Sequence, residues 1–293
     1  MDLMQLEMFV ATAEAKGPKR AAERVFRTQP AVSMALAKLE AEIGAPLFDR
    51  ANRGAYILTA SGELLYAKAK RLLSLRDEAL SEIRELHSLE QGRVRIGANE
   101  SAGVYLLPRL IESYHRKYPK VHVEVTRQNS MQLIHDLREH IVDLALISFA
   151  PEEKDVETLP VMNDELILVT SPNHPLTKKR KVKFADLASE AFIAHTVASP
   201  SRHKVIEAFR SSNTPLNIVM EVAMIETIKK LIAMDLGIGF IPRMCVQEEI
   251  RRDELSCVDF EGFQYQRTLW LARRRSESHS HAATAFWKMA FSK

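Results

Sequence analysis

Cysteine is scarce in this chain of 293 residues, which contains only Cys245 and Cys257. Two cysteines near the carboxyl terminus cannot form the network of disulfides that stabilises small secreted domains. We expect two ordinary reduced thiols, and we keep a single redox-sensing disulfide between them as the alternative.

Long hydrophobic runs are absent as well. No stretch approaches the ~18 uninterrupted apolar residues that a membrane-spanning helix needs. The first residues carry acidic side chains within an apolar stretch, whereas a signal peptide has a basic start followed by a continuous apolar core. We therefore expect a cytoplasmic protein without membrane contact, which argues against a secreted solute-binding protein.

The sequence motifs of common enzymes are also missing. The chain has no Gly-x-Ser-x-Gly, no His-Glu-x-x-His, no phosphate-binding glycine-rich loop and no Cys-x-x-Cys. His279 and His281 flank Ser280 in a polar stretch, and we interpret this stretch as a solvated tail rather than as a metal site. The sequence thus predicts a protein that is not an enzyme and that uses neither a metal nor a cofactor.

The overall composition is that of a soluble globular protein, with 46% hydrophobic and 27% charged residues. A length of 293 residues suits two domains, because a domain usually has roughly 100 to 200 residues. The formal net charge of +3 is too small to indicate nucleic acid as a partner. Locally, however, residues 16–38 contain six basic side chains against one glutamate. Such an excess suits contact with phosphates, although a solvated helix face has the same pattern.

The amino-terminal residues predict three helices. Apolar residues recur at helical spacing over 3–15, with Asp2 as the N-cap. Pro18 suits the first turn of a second, short helix. A third helix is predicted over 29–43 and ends at Gly44. Two short helices joined by a tight turn form a helix-turn-helix, whose second helix can enter the major groove of DNA.

A wing and a long helix are predicted to follow. Pro46–Leu58 has the pattern of two short strands around a turn at 51–54, with Arg50 and Arg53 at or near its tip. From Thr59 to about Leu89 no proline interrupts a helical pattern with apolar residues at heptad spacing. The predicted dimerisation positions are Leu65, Leu72, Leu75, Ala79, Ile83 and Leu86. A twin helix from a second subunit would bury this stripe, and packing of the helix on its own domain is the alternative.

Beyond residue 92 the period changes, and strands alternate with helices as in a parallel, helix-covered α/β sheet. Predicted strands lie at 94–98, 121–126, 144–148, 165–170, 191–194, 217–222, 256–259 and 267–272, and predicted helices at 106–118, 131–140, 203–211, 226–234 and 282–291. The pattern occurs twice and predicts two lobes with a ligand cleft between them. We therefore expect three parts: 1–58, a linker helix 59–90, and 91–293, with one lobe at about 91–162 and 268–293 and the other at about 163–267.

Several short motifs carry a resemblance to a known family. They are Leu6-x-x-Phe9, Ala21-Ala22-Glu23-Arg24, Gln29-Pro30-Ala31-Val32-Ser33, Leu39-Glu40, Gly44-x-Pro46-Leu47-Phe48-Asp49-Arg50 and Leu58-Thr59-x-x-Gly62. In this order and spacing they resemble the amino-terminal signature of LysR-type transcription regulators. Leu107-Pro108, Asp143-Leu144-Ala145-Leu146 and Gly237-x-Gly239-x-x-x-Pro242 extend the resemblance over essentially the whole chain.

The resemblance implies a winged helix-turn-helix, a linker helix and a periplasmic-binding-protein-like effector domain, assembled as a dimer or tetramer. It implies a regulator, commonly an activator, with double-stranded DNA, a small-molecule effector and RNA polymerase as partners. The predicted DNA-binding residues are Lys19, Arg20, Arg27, Thr28, Gln29, Pro30, Ser33, Met34, Lys38, Arg50 and Arg53. Gln29 can pair with adenine, Ser33 can donate to a base or a phosphate, and the arginines can neutralise phosphates.

Two departures from the family pattern concern this DNA-binding part. Pro18-Lys19-Arg20 stands where many relatives have Ser-Phe-Thr, so a basic side chain replaces a hydroxyl that often contacts the DNA backbone. Met34 stands where arginine or glutamine is frequent, which leaves the base preference open.

For the effector, the resemblance implies contacts on loops of both lobes. The predicted residues are Asn99, Ser101, Asn129, Ser130, Thr196, Arg202 and Thr227. We expect Ser101 and Ser130 to precede or cap helices, where free backbone N–H groups and the helix dipole favour an anion. Ordinary helix capping by these serines is the alternative to ligand binding.

Overall fold

The computed structural model describes residues 1–49, 56–85, 92–196, 199–275 and 279–291. The chain divides into two units, one made of residues 1–92 with 136–141 and the other of residues 93–135 with 142–293.

The first unit begins with the three predicted helices, which are α1 (Leu3–Ala15), α2 (Pro18–Arg24) and α3 (Gln29–Ile43). Asp2 caps α1, because its carboxylate accepts the backbone N–H of Gln5 at 2.8 Å while the Gln5 side chain accepts the N–H of Asp2 at 2.8 Å. Gly44 ends α3 in the left-handed conformation, with φ 76°. These local signals explain why the bounds of α1 and α3 could be predicted.

A small hydrophobic core and a two-stranded wing complete the amino-terminal part of the first unit, residues 1–58, which we call the head. Phe9, Leu39 and Leu47 are fully buried, and Ala21 is also buried where α2 packs against its neighbours. The strands β1 (Phe48–Asp49) and β2 (Ile57–Leu58) pair antiparallel, as expected for a wing. The predicted turn at 51–54 and the two wing arginines lie outside the described residues.

Helix α4 (Ala60–Glu85) follows the wing. Thr59 accepts the backbone N–H of Gly62 at 3.0 Å and so caps the helix. Leu65 packs against the core of the head. Leu72 and Leu75 are each 42% exposed and Ile83 is 56% exposed within the single chain, and Ala79 is exposed too. The predicted end of the helix near Leu89, and Leu86 with it, lie outside the described residues.

The second unit contains nine strands and eight α-helices among its described residues, except that the end of one helix, at residues 136–138, belongs to the first unit. The strands are β3 (Arg93–Ala98), β4 (His122–Arg127), β5 (Leu144–Ile147), β6 (Val156–Thr170), β7 (Phe192–His195), β8 (Ile218–Val222), β9 (Gly239–Pro242), β10 (Ser256–Val258) and β11 (Tyr265–Arg274). The helices are α5 (Glu100–Tyr105), α6 (Leu107–Lys117), α7 (Ser130–Arg138), α8 (Phe184–Leu187), α9 (Pro200–Ser211), α10 (Ile225–Ala233), α11 (Gln247–Arg251) and α12 (His281–Phe291).

The main sheet is mixed, in contrast to the parallel sheet that we predicted. Strand β3 pairs parallel with β4 and with β5, but β11 pairs antiparallel with β5 and β6. Strands β9 and β10 are also antiparallel to β6, while β7 and β8 form a separate parallel pair. The prediction recognised only 165–170 of β6, because the first half of this strand is partly exposed and contains Pro160, which weakens a strand signal.

The helix predicted at 106–118 is present as α6, but three features of this unit differ from the sequence analysis. The helix predicted at 106–118 is preceded by a separate short helix, α5, whose Gly103 and Val104 lower its helix propensity. The short helices α8 and α11 were not predicted. The stretch around Ser280 is not a solvated tail, because Ser280 is buried and accepts the N–H of Ala283 at 3.1 Å at the start of α12.

Candidate DNA-binding face and effector cleft

The exposed side of α2 and α3 carries the predicted DNA-binding residues. Val32, Leu36 and Leu39 bury one side of α3 in the head. The predicted residues of the described head are all exposed: Lys19, Arg20, Arg27, Thr28, Gln29, Pro30, Ser33, Met34 and Lys38. Gln29 and Ser33 are four residues apart and so lie on the same side of the helix. The arrangement offers hydrogen-bonding groups at the start of α3, as reading of base edges requires.

Basic side chains surround this start of α3. Arg24 lies 3.5 Å from Glu14 and is therefore partly neutralised within the head. Among the described residues, by contrast, no acidic group lies within ion-pair distance of Lys19, Arg20 or Arg27. These three cations are available to an external anion such as a phosphate.

Phe26 is a feature of this face that the sequence did not reveal. It lies in the turn between α2 and α3, is 92% exposed, and has φ 52°. An exposed aromatic side chain with a positive φ is uncommon. A single apolar residue in a turn produces no periodic pattern, so the exposure of Phe26 could not be predicted from the sequence.

The candidate effector site lies at the carboxyl ends of β3, β4 and β5. Parallel strands end at the same edge of a sheet, so the residues that follow them come together. Asn99 donates from its amide to Ser130 Oγ at 3.2 Å, and the backbone N–H of Ser148 donates to the same oxygen at 3.3 Å. Residues from three strand ends therefore form one hydrogen-bonded group.

Asparagines cap the helices here, whereas we expected Ser101 and Ser130 to precede or cap them. Asn99 Oδ1 accepts the backbone N–H of Ala102 at 3.0 Å, and Asn129 Oδ1 accepts that of Gln132 at 2.9 Å. Ser101 and Ser130 lie just inside α5 and α7 instead, and both are buried. Their hydroxyls are consequently held by neighbouring side chains.

The opposite wall begins with α9. Ser199 caps this helix by accepting the backbone N–H of Arg202 at 3.2 Å. The Arg202 guanidinium donates to the backbone oxygen of His195 and to the carboxylate of Glu221. These contacts hold Arg202 at the amino-terminal end of α9.

Glu100 connects elements from both sides of the cleft. Its Oε2 lies 3.0 Å from Arg127 and 3.3 Å from Nε2 of His195, and its Oε1 accepts the backbone N–H of Ile225 at 2.9 Å. Both oxygens of this carboxylate are thus already bonded. Sequence reasoning missed Glu100, although it directly follows the predicted Asn99.

A buried ion pair lies beneath the polar end of the cleft. Arg267 contacts Asp164 at 2.8 Å, and the two side chains are only 6% and 2% exposed. Arg267 also donates to Ser101 Oγ at 3.2 Å, and Asp164 accepts the backbone N–H of Met244 at 3.1 Å. A buried pair with these additional hydrogen bonds fixes the position of the guanidinium.

Together these elements enclose a cavity of about 790 Å³, a size that is usual for sites that bind small molecules. Five of the predicted effector residues lie on its wall, namely Asn99, Ser101, Asn129, Ser130 and Arg202. Thr196 and Thr227 lie outside the wall that the described residues form. The polar residues that sequence reasoning missed are Glu100, Arg127, Gln128, Ser148, His195, Ser199, Ser201 and His203 with Arg267.

The two cysteines are free thiols in different environments, since Cys245 is buried and Cys257 is exposed. Desolvation raises the pKa of the Cys245 thiol. It also raises the pKa of Cys257, against the opposing effect of Arg243 nearby. The reactive thiolate is therefore disfavoured at both positions, which does not favour the redox-sensing alternative.

Within the described part of the chain, no group of three or more histidine, cysteine, aspartate or glutamate side chains is arranged to hold a metal ion. Nor is any described helix both long and apolar enough to cross a membrane.

Two family models match this chain in succession. Residues 3–63 match "Bacterial regulatory helix-turn-helix protein, lysR family", and residues 87–292 match "LysR substrate binding domain". A "Probable RuBisCO transcriptional regulator" of Trichormus variabilis is 33% identical over 290 residues, which are 97% of this chain and 86% of the relative.

Two solved structures are similar in fold. Full-length CbnR complexed with its target DNA has a TM-score of 0.75 and 20% identity, and the match covers 99% of each chain. The regulatory domain of CcmR from Synechocystis PCC6803, solved in complex with 2-PG, has a TM-score of 0.63 and 28% identity. That match covers 69% of this chain and 97% of the CcmR domain.

Proposed function

This chain belongs to the LysR family of transcription regulators, and we propose that the effector it senses is an anion that binds in the cleft. It is a homo-oligomeric, sequence-specific DNA-binding regulator whose activity a small molecule modulates. We further propose that it acts in the cytoplasm without catalysing a reaction, and that it contacts RNA polymerase when it activates a promoter.

One observation carries the proposal of an anion. The cavity wall includes the side chains of Arg127, Arg202 and Arg267, but Glu100 is its only carboxylate among the described residues. The carboxylates that pair with Arg202 and Arg267 are not part of this wall. Arg127 pairs with Glu100 on the wall itself, whereas the wall lacks the carboxylates that pair with the other two arginines.

Two helix starts at the same wall also favour an anion. The first residues of α7 and α9 both line the cavity. The unpaired N–H groups and the dipole of a helix start favour a negative charge. An anion there would accept from Arg202 and from the hydroxyl of Ser130, and we propose these residues for the site together with Asn99, Ser101 and Asn129. Thr196 and Thr227, which the resemblance implied, lie outside the cavity wall and are not part of this proposed site.

On the DNA side, we propose that Gln29 and Ser33 approach base edges and that Met34 lies against a thymine methyl group. The basic residues Lys19, Arg20, Arg27, Lys38, Arg50 and Arg53 would neutralise phosphates, with Thr28 and Pro30 close to the backbone. Base contacts would set the sequence preference, and phosphate contacts would set the affinity and its dependence on salt.

The test measures fluorescence anisotropy of the full-length protein on the intergenic DNA beside its own gene, with unrelated DNA as competitor. Inorganic phosphate, sulfate and succinate are added at constant ionic strength. We expect at least one anion to change the DNA-binding midpoint by roughly 5- to 150-fold, the usual range of coupling between sites.

Arg202→Gln should remove this response while leaving DNA binding without the anion unchanged. The matched control is Arg116→Gln, because the Arg116 side chain is 79% exposed on α6 and its ion-pair partner is Glu112. A response of equal size in wild type and Arg202→Gln would contradict the proposed site, and no response to any of these anions would contradict the proposed class of effector.

A further inference from the structure

One face of α9 presents a cation next to apolar side chains. Arg202, Val205 and Ile206 all line the cavity. Residues three and four positions apart lie on the same side of a helix, so Val205 and Ile206 follow Arg202 by one turn. Ile206 is 41% exposed and is therefore accessible to a ligand in the cavity.

The strands opposite this face continue the apolar wall. Phe192 of β7, Ile218 of β8 and Phe240 of β9 line the cavity there. The rings of Phe192 and Phe240 are stacked with an interplanar angle of 5° and centroids 6.0 Å apart. Phe209 packs edge-on against both rings, with centroids 5.3 Å and 6.2 Å away. This part of the wall is therefore supported from behind by the aromatic core.

A small polar anion does not account for such a wall. Aliphatic and aromatic side chains offer no hydrogen bonds to a polar ligand, and water placed against them finds few polar partners. An apolar group that displaces this water gains about 25 cal/mol for each Å² of apolar surface that it buries. The cavity of about 790 Å³ also exceeds what a group of a few atoms fills.

We propose that the effector is an amphipathic organic acid. Its carboxylate lies at the polar end, near Arg202 and Arg127, and its apolar chain or ring lies along α9 against Phe192, Ile218 and Phe240. This inference rests on the proposed function for its anionic part, and it adds the apolar part.

The experiment is a calorimetric titration of the full-length protein with straight-chain carboxylates from acetate to octanoate at constant ionic strength. Burial of a methylene contributes about 0.8 kcal/mol, which is about fourfold in affinity. We expect the Kd to fall by about two- to fourfold per added methylene until the chain fills the apolar wall, which amounts to at least about sixtyfold over the six methylenes that separate acetate from octanoate.

Ile206→Gln tests the location of the apolar part. It should weaken octanoate binding by about tenfold and leave acetate binding unchanged, because only the apolar wall is altered. Val219→Gln is the matched control, since Val219 is 48% exposed on β8 and is not part of the cavity wall. Thermal unfolding of both variants checks that the fold is retained, and Ile206→Met, which keeps an apolar side chain, should restore octanoate binding.

Different results overturn the two proposals. A Kd that does not change with chain length, or an Ile206→Gln variant that binds octanoate like wild type, overturns the amphipathic effector. If 1-octanol binds as tightly as octanoate, the apolar part stands and the anionic effector of the proposed function is contradicted. If short anions modulate DNA binding but longer carboxylates bind no more tightly than acetate, the amphipathic effector is overturned and the anionic effector of the proposed function is retained.

Discussion

Gly62 has no room for a side chain, because a Cβ at this position would lie 2.1 Å from the backbone oxygen of Leu47. The start of α4 and the chain before β1 therefore approach each other more closely than any other residue allows. This contact gives a structural reason for the glycine in the Leu58-Thr59-x-x-Gly62 motif.

We expect Gly62→Ala to lower the free energy of unfolding of the amino-terminal unit by about 1–3 kcal/mol, as overpacking of a tight contact usually does. Urea denaturation followed by far-UV circular dichroism measures the change. Ser61→Ala, at an exposed position of the same helix, is the control and should be nearly neutral. Equal stability of the two variants would show that the chain can relax at this contact.

The raised thiol pKa values give a second prediction at the residue scale. A thiol whose pKa is raised stays protonated at neutral pH, so its thiolate appears only as the pH rises beyond the ordinary range of a cysteine. At pH 7.5 we expect iodoacetamide to modify exposed Cys257 more slowly than free cysteine and buried Cys245 only after unfolding. Mass spectrometry of modified peptides over pH 7 to 10 measures this. An oxidant-induced disulfide that changes DNA affinity would revive the redox alternative.

At this scale the sequence revealed the polar residues that follow strands but not their partners. Asn99 and Asn129 could be predicted because each follows a strand by one or two positions. Arg267 could not, because its role depends on Ser101, which is 166 positions away in the chain. Glu100 was likewise missed, since its contacts with His195 and Ile225 exist only in the folded domain.

At the scale of elements, the beginning of α4 differs from the remainder of the helix. Leu65 and Ala69 belong to the packing of the head, whereas Leu72, Leu75 and Ile83 remain exposed in the single chain. The alternative of packing on its own domain thus holds for the beginning of the helix. The rest of the stripe is available to a second copy.

We expect Leu72→Asp to convert the oligomer into smaller species, because it places a charge in the proposed seam between two copies of α4. Light scattering coupled to size exclusion measures the mass. Ala67→Asp, which is exposed on the opposite side of the same helix, should leave the mass unchanged. An oligomer that is intact in Leu72→Asp would place the interface elsewhere.

Local signals also explain which elements could be predicted. Caps and breakers define α1 and α3 almost to the residue, because Asp2 and Gly44 act through their own backbone neighbours. Strand β6 depends on tertiary pairing instead, and its first half takes its conformation from β11 rather than from its own side chains. Strand direction likewise follows from the pairing, so an alternating pattern indicated a parallel sheet where the sheet is mixed.

For the whole molecule, the effector and DNA must influence each other equally. If an anion changes the affinity for DNA by a certain factor, DNA changes the affinity for the anion by the same factor, because both follow from one coupling free energy. We expect calorimetric titration of the anion, with and without the operator DNA, to give the factor found by anisotropy. Unequal factors would reveal a further linked equilibrium, such as a change of oligomeric state.

The long strands β6 and β11 pass through the entire effector domain side by side. Their pairing extends from Val156 with Arg274 to Leu166 with Tyr265, with one shift of register at Leu269 and Trp270. Strands β9 and β10 pair with residues 166–170 of β6, at one end of this ribbon. Strand β5 pairs with residues 270–272 of β11, towards the other end. A hydrogen-bonded ribbon of this kind resists shearing but can twist. The ribbon therefore connects β5 to β9 and β10 through backbone hydrogen bonds, and its one irregularity lies between these two attachments.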